Sequence, residues 1–161
     1  MKVKEIMTAR SLKSCSPETK LHQAVKTMKA QNCGALPVID KQKKVVGLVT
    51  DRDIALSLAR KQANFSKTNV GDIISKKVYT INQNDHLSDA LAQMRTNQIG
   101  RLPVVDDERK LKGIVSMHNL ISEAGRSKGK IQIGTFKDRG ENLIKTMTAL
   151  TSRYSNGKVK K

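Results

Sequence analysis

One unit of the sequence occurs twice, and this repeat limits the folds open to the chain. Residues 34–40, Gly-Ala-Leu-Pro-Val-Ile-Asp, return as residues 100–106, Gly-Arg-Leu-Pro-Val-Val-Asp. Residues 45–50 return as residues 111–116 at the same spacing of 66 residues. A repeat matched in apolar positions, glycines and prolines indicates one supersecondary unit built twice. Two such units usually pack about a pseudo-twofold axis, and that axis creates paired clefts between them.

Each unit begins with a short opening segment and an amphipathic helix. The opening segments are residues 3–7 and 70–74, and each leads into an extended stretch that ends near Cys15 or Ile81. The helix that follows carries apolar residues at positions i, i+4 and i+7: Leu21, Val25 and Met28, then Leu87, Leu91 and Met94. This spacing predicts one buried helical face, and we assign both methionines to the core.

Two strands and a second helix complete the unit. Residues 36–39 and 45–49 are expected to form two short, largely buried strands, joined by a polar hairpin link over residues 40–44. A second helix is predicted from Thr50 to about Lys61, with Ile54 and Leu58 facing inward. The order helix, strand, strand, helix predicts an α+β fold built from short sheets with flanking helices.

The chain divides into four parts. We predict a first repeat over residues 1–61, a linker over 62–69, a second repeat over 70–124 and a basic C-terminal extension over 125–161. Residues 131–136 of the extension favour a short strand. Residues 141–154 favour an amphipathic helix whose apolar stripe is Leu143, Ile144, Met147 and Leu150.

The formal net charge of +17 is unevenly distributed. Residues 1–69 carry 14 basic and 5 acidic side chains, residues 70–124 carry 7 of each, and residues 125–161 carry 10 and 2. A field of this size attracts polyanions such as nucleotides, nucleic acid and anionic membranes. The alternative is a solvated basic surface that only keeps the protein in solution.

Several classes of function are not favoured by the sequence. No apolar run is long enough to span a bilayer, and the lysine-rich start has no stretch typical of a signal peptide. Cys15 and Cys33 form no CxxC pair, which favours reduced thiols and a cytoplasmic location. His22 and His86 have no partners at metal-ligand spacing. No catalytic constellation or Walker loop is present, so we expect neither catalysis nor a metal site.

The ordered motifs of both units resemble the cystathionine-β-synthase (CBS) domain, which occurs in tandem pairs. Its pattern is matched here by Met7-Thr8, Ser16-Pro17, residues 34–40 and residues 45–53. The resemblance covers residues 3 to about 124. It implies a homodimer formed through the helical faces and a regulatory role rather than catalysis. It also implies an adenosine-containing ligand such as AMP, ADP, ATP, NAD(H) or S-adenosylmethionine, bound between the repeats.

The resemblance implies a role for particular residues. Asp53 would hold the ribose hydroxyls, assisted by Thr50, and the phosphates would meet Arg52, Arg101 and His118. The adenine slot would be formed by residues from the beginning of the chain and from the first strand: Thr8, Leu12, Ser14, Ala35, Leu36 and Pro37. Each polar residue also has a structural alternative. Asp53 and Thr50 are suited to capping a helix, Arg101 to a solvated or ion-paired position on a strand, and His118 to a structural position.

The second repeat departs from the pattern at the ribose position, where Asn119 replaces the carboxylate. An amide brings no negative charge, and its NH₂ group is a donor that a ribose diol does not need. Arg101 also stands where the first repeat has Ala35. We therefore expect one effective site per chain, centred on Asp53.

Two other functions remain open from the sequence. The basic surface and extension could bind nucleic acid, although the only aromatic residues of the extension are Phe136 and Tyr154. The chain could also be a purely structural dimerisation module. The helix of the extension could dock on its own module, on a dimer partner or on a client protein.

Overall fold

A computed structural model describes residues 1–59, 64–75, 77–126 and 145–150. The first repeat contains α1 (Leu21–Ala30), β1 (Ala35–Ile39), β2 (Val45–Thr50) and α2 (Asp51–Ser57). The second contains β3 (Ile81–Asn82), α3 (Leu87–Asn97), β4 (Arg101–Val105), β5 (Leu111–Ser116) and α4 (Met117–Arg126). Residues 145–150 are helical. Across these described ranges, no helix combines the length and the apolar character needed to cross a membrane. The predicted α+β pair of repeats is confirmed.

The two repeats share one strand arrangement. β1 and β2 form an antiparallel hairpin, as do β4 and β5, and each pair contains one register shift at equivalent positions. The hairpin turns match too, because Lys43 and Arg109 both have a φ of 64°. β3 runs parallel to β4. In the first repeat, the equivalent pairing is a single parallel bridge between Cys15 and Val38.

The predicted inward faces are correct at most positions and wrong at two. In α1, Leu21 and Met28 are buried, but the third buried residue is Ala24, and Val25 is 37% exposed. In α2, Ile54 is buried as predicted, but Leu58 is 49% exposed. α2 ends at Ser57, and Leu58 begins a tighter turn in which its N–H donates to the carbonyl of Ala55. The helix therefore ends earlier than the predicted position near Lys61, which itself lies outside the described residues.

Of the predicted C-terminal extension, the structure describes residues 125–126, which belong to α4, and residues 145–150. Thr146 is fully buried there, and Met147 is 42% exposed, so the predicted apolar stripe is wrong at Met147. Leu150 is half-buried. The predicted strand at 131–136, together with Leu143 and Ile144, lies outside the described residues.

The opening segments (residues 3–7 and 70–74) are exchanged between the repeats. Val3 of the first repeat lies in the apolar core of the second, and Val70 of the second lies in the core of the first; neither is exposed. The backbone follows the same exchange. Val3 N donates to Asp85 O at 3.0 Å, and Val70 N donates to Thr19 O at 2.8 Å. Each core is therefore completed by the other repeat.

A glycine in each hairpin makes room for the exchanged segment. A Cβ on Gly47 of β2 would lie 2.6 Å from Ile74 Cδ1. A Cβ on Gly113 of β5 would lie 2.7 Å from Met7 Sδ and 3.0 Å from the carbonyl oxygen of Thr8. These separations are below normal van der Waals contact. The repeated glycine of the second strand therefore permits the opening segment of the opposite repeat to pack directly on that strand.

Gly113→Ala is expected to lower the free energy of unfolding by about 1–3 kcal/mol, since the new methyl group overpacks the contact with the opening segment. Urea denaturation measures this change. Gly100→Ala is the matched control, because a Cβ at Gly100 meets no atom within 4 Å. That variant should stay within about 0.5 kcal/mol of wild type. Equal effects of the two substitutions would contradict the packing argument.

Cys15 is expected to react slowly with alkylating reagents in the folded protein. Burial raises the pKa of the Cys15 thiol to about 11. At pH 8, only about one thiol in a thousand is then the reactive thiolate. In a Cys33→Ser variant, alkylation by iodoacetamide should accelerate strongly when the chain is unfolded in urea. The same rate in the folded and unfolded chain would show that Cys15 is not protected.

Candidate ligand-binding cleft

A cleft of about 680 Å³ lies between the two repeats, and Asp53 lies in its wall. We call it the Asp53 cleft. The first repeat contributes the end of β2 and the start of α2, with Thr50, Asp51, Arg52 and Asp53. The second repeat contributes polar, aromatic and apolar residues: Ser75, Lys77, Val78, Tyr79, Ile99, Gly100, Arg101, Ser116, Met117 and His118. Leu150 of the C-terminal extension also lines the cleft. This size is within the range of small-molecule sites.

Asp53 is held in place by the cap of α2. Its Oδ2 accepts a hydrogen bond from Thr50 Oγ1 at 2.6 Å and another from Thr50 N at 2.9 Å. Thr50 Oγ1 in turn accepts from Asp53 N at 3.2 Å. The two residues thus form a reciprocal capping box, which was the structural alternative for both. The cap uses one carboxylate oxygen, and no other described residue donates to Oδ1 of Asp53.

The opposite wall carries an aromatic ring in a chain with only 2% aromatic residues. Tyr79 is partly buried against the core of the second repeat. Lys77 Nζ lies 4.8 Å from the centroid of the Tyr79 ring, a cation–π contact. An aromatic face beside the apolar side chains of Val78 and Ile99 is suited to a planar heterocycle.

Three cationic side chains and two carboxylates line the cleft. The cations are Arg52, Lys77 and Arg101. The exposed guanidinium of Arg101 has no ion pair among the described residues. Asp51 and Arg101 both lie beside Gly34. A Cβ placed on Gly34 would be 2.8 Å from Asp51 Oδ2 and 3.5 Å from Arg101 Nη2. An ion pair of Arg101 is not seen among the described residues, whereas a solvated position at the start of β4 agrees with its exposure.

The structure divides the eleven predicted site residues into two groups. Five of them line the Asp53 cleft: Thr50, Arg52, Asp53, Arg101 and His118. The other six are not among the residues described as lining it: Thr8, Leu12, Ser14, Ala35, Leu36 and Pro37. Ala35, Leu36 and Pro37 are buried in β1. The prediction that both groups form one cleft is not met by this geometry.

Exchange of the opening segments explains this division. Thr8 pairs with β5 of the second repeat, where its N–H donates to Ile114 O at 2.9 Å. The stretch that follows then returns to β1 of its own repeat, where Cys15 N donates to Pro37 O. Thr8 consequently lies on the side of the molecule that carries Asn119, away from Asp53.

Sequence reasoning missed the wall formed by the residues that follow the second opening segment. Ser75, Val78 and Tyr79 are the repeat equivalents of Thr8, Leu12 and Lys13. The relevant positions were therefore recognised, but in the wrong copy. The spacing between equivalents, 67 residues for Thr8 and Ser75 and 66 for the other two pairs, does not indicate which copy faces which motif.

In the second repeat, the side chain equivalent to Asp53 has protein hydrogen-bond partners at both of its terminal atoms. Asn119 Oδ1 accepts from Ser116 Oγ at 2.6 Å and from Ser116 N at 2.9 Å, as Asp53 Oδ2 does from Thr50. Asn119 Nδ2 donates to Thr8 Oγ1 at 3.1 Å. The atom that corresponds to the open oxygen of Asp53 is thus a donor already engaged with the protein. This contact supports the expectation of a weak second site, which stays a prediction.

Metal ligands are not clustered in the described parts of the chain. No group of three or more His, Cys, Asp or Glu side chains lies close enough there to hold an ion.

Comparison with known families identifies this chain. The family model of the CBS domain matches residues 3–60 and 70–126. The chain therefore belongs to the CBS domain family and contains a tandem pair of CBS domains.

Relatives of known sequence include both short and long proteins. The CBS domain-containing protein YhcV of Bacillus subtilis is 38% identical over 118 residues, which are 73% of this chain and 81% of YhcV. The inosine-5′-monophosphate dehydrogenase of Methanocaldococcus jannaschii is 29% identical over 119 residues, and the match spans only 22% of that enzyme. The chain therefore corresponds to a small part of some of its relatives.

Two solved CBS pairs with bound ligands have the same fold. The CBS domain pair of protein MJ0100, in complex with 5′-methylthioadenosine and S-adenosyl-L-methionine, is 27% identical with a TM-score of 0.71. The match covers 79% of this chain and 98% of that one. CBSX2 in complex with AMP is 29% identical with a TM-score of 0.70, at the same coverage.

Proposed function

We propose that this CBS pair is a non-catalytic regulatory module that binds one adenosine-containing ligand per chain in the Asp53 cleft. The observation that carries the proposal is the meeting of two charged groups from opposite repeats. The carboxylate of Asp53 and the guanidinium of Arg101 line one cleft, and the Tyr79 ring lies on the side contributed by the second repeat, as Arg101 does. A ribose diol, a phosphate and a planar base require these three kinds of group.

The ribose would bind to the carboxylate of Asp53. Its Oδ1 can accept hydrogen bonds from hydroxyl groups, whereas Oδ2 is occupied by Thr50. Because the cap already fixes the carboxylate, little side-chain freedom is lost when a ligand binds. The same interaction therefore begins the helix and prepares the binding group.

The base and the phosphate would take the opposite wall. An adenine ring would pack against Tyr79 and Val78, and its phosphate would bind Arg101 and Arg52, with His118 and Lys77 nearby. The proposal thus retains the five predicted residues that line the cleft. It replaces the six residues located elsewhere with the second opening segment and its continuation.

The known complexes support an adenosyl ligand. MJ0100 was solved with 5′-methylthioadenosine and S-adenosyl-L-methionine, and CBSX2 with AMP. The three cations of the Asp53 cleft favour a phosphate-bearing ligand, so AMP is the first ligand to test, followed by ADP, ATP and NAD. A regulatory effect requires different ligand affinities in two states of the protein.

A homodimer in the cytoplasm is part of the proposal. Large apolar side chains are exposed at the end of the first repeat and on α4 of the second: Leu56 at 58%, Leu58 at 49% and Ile121 at 45%. Burying such side chains against a second copy would be favourable. A dimer of this kind could transmit ligand occupancy to a client protein.

Asp53→Asn is expected to weaken AMP binding while preserving the fold. Asn119 accepts the equivalent cap hydrogen bonds in the second repeat, so an amide can retain the cap at residue 53. The substitution removes only the negative charge and one acceptor. Isothermal titration calorimetry should give one site per chain in wild type and at least tenfold weaker binding in the variant, about 1.4 kcal/mol.

Asp89→Asn is the matched control, because it makes the same substitution at the cap of α3, where Asp89 Oδ2 accepts from His86 N, and Asp89 does not line the Asp53 cleft. This variant should bind AMP as wild type does. Loss of binding in both variants would mean that the effect arises from the fold. Wild-type protein that binds none of the adenosyl ligands would contradict the proposal and favour the alternative of polyanion binding.

Arg101→Ala is expected to weaken binding of AMP by about tenfold, since a charge-assisted hydrogen bond contributes about 1.5–3 kcal/mol. Binding of adenosine, which has no phosphate, should change little. Arg109→Ala removes a similar exposed charge at the hairpin turn and serves as the matched control. Equal losses for AMP and adenosine would show that Arg101 does not bind the phosphate.

A further inference from the structure

We propose that the C-terminal helical segment (residues 145–150) forms part of the wall of the Asp53 cleft, and that its docking and ligand binding stabilise each other. The coupling rests on the function proposed above; the docking does not. It would give the C-terminal extension a role at the ligand site, beyond the repeats that define the family.

The burial pattern shows that one face of the segment packs against the protein. Thr146 is fully buried, and Ala149 and Leu150 are half-buried, whereas Lys145, Met147 and Thr148 are exposed. Positions i, i+3 and i+4 lie on one side of a helix. The segment is therefore docked through a defined face.

That face reaches the Asp53 cleft through Leu150. Leu150 lines the same cleft as Thr50 of the first repeat and as Arg101 and His118 of the second. Its side chain adds an apolar surface to a wall in which most of the neighbouring groups are polar. Three separate parts of the chain thus meet at one site.

The ligand does not have to displace the segment. The volume of about 680 Å³ is measured with Leu150 in the wall, and it remains within the range of small-molecule sites. A ligand in this space would contact Leu150 only while the segment is docked. It would therefore favour the docked state, and docking would raise ligand affinity by the same factor.

The first experiment tests docking without ligand, by hydrogen exchange of the full chain. Leu150→Asp should accelerate exchange in residues 145–150 and at the cleft amides of residues 99–101, because a charge at the buried face opposes docking. Met147→Asp places the same charge on the exposed face of the segment and should leave both regions unchanged. Identical exchange in the two variants would overturn the proposal.

The second experiment tests coupling, with AMP as the probe. AMP should slow exchange in residues 145–150 of wild type and have no such effect in Asp53→Asn. Leu150→Ala should weaken AMP binding about fivefold or more, the lower end of typical coupling, and Met147→Ala should not. AMP that binds while exchange in residues 145–150 stays unchanged or becomes faster would overturn the coupling.

The two experiments separate this inference from the proposed function. If wild type binds no AMP by calorimetry, the AMP site fails, and the coupling fails with it. The ligand-free comparison of Leu150→Asp with Met147→Asp still decides whether the segment is docked at the cleft. Normal AMP binding in Leu150→Ala would instead overturn the role of the segment and leave the proposed function intact.

Discussion

The exchange of opening segments is the constraint on which the rest of this structure depends. Val3 completes the core of the second repeat, and Val70 completes that of the first. Neither repeat has a full core alone, so burial of apolar surface makes the two repeats one folding unit. Gly47 and Gly113 permit this exchange, since each lies directly against the opening segment of the opposite repeat. The cleft between the repeats is therefore a product of the same packing that stabilises them.

Each candidate site consequently combines a helix cap from one repeat with an opening segment from the other. The geometry of the cap is almost the same at Asp53 and at Asn119. Oδ2 of Asp53 accepts two hydrogen bonds from Thr50, and Oδ1 of Asn119 accepts two from Ser116. The difference lies in the other terminal atom of each side chain, Oδ1 of Asp53 and Nδ2 of Asn119. An oxygen at Asp53 is open to a ligand, whereas the nitrogen at Asn119 donates to Thr8. The duplicated caps therefore differ in the hydrogen-bond partner of this one atom.

The capping role of Asp53 and its proposed binding role do not compete. The cap engages one oxygen and fixes the orientation of the other, so the fold itself organises the binding group. The C-terminal segment adds a contact that has no counterpart in the repeat pattern. Its docked face includes the polar Thr146 and leaves Met147 exposed, which apolar spacing alone did not indicate.

The sequence by itself determined the repeat, the order of helices and strands, the buried positions Leu21 and Met28, and the contrast between Asp53 and Asn119. These features are local, because they depend on periodicity and on residue type at one position. Only the tertiary structure decided which repeat receives each opening segment, and hence that Thr8 lies beside Asn119 while Tyr79 lines the cleft of Asp53. The two repeats have nearly the same pattern, so a local signal cannot distinguish packing within a repeat from packing across the pair. Which opening segment packs in which core is decided by the packing of both complete cores.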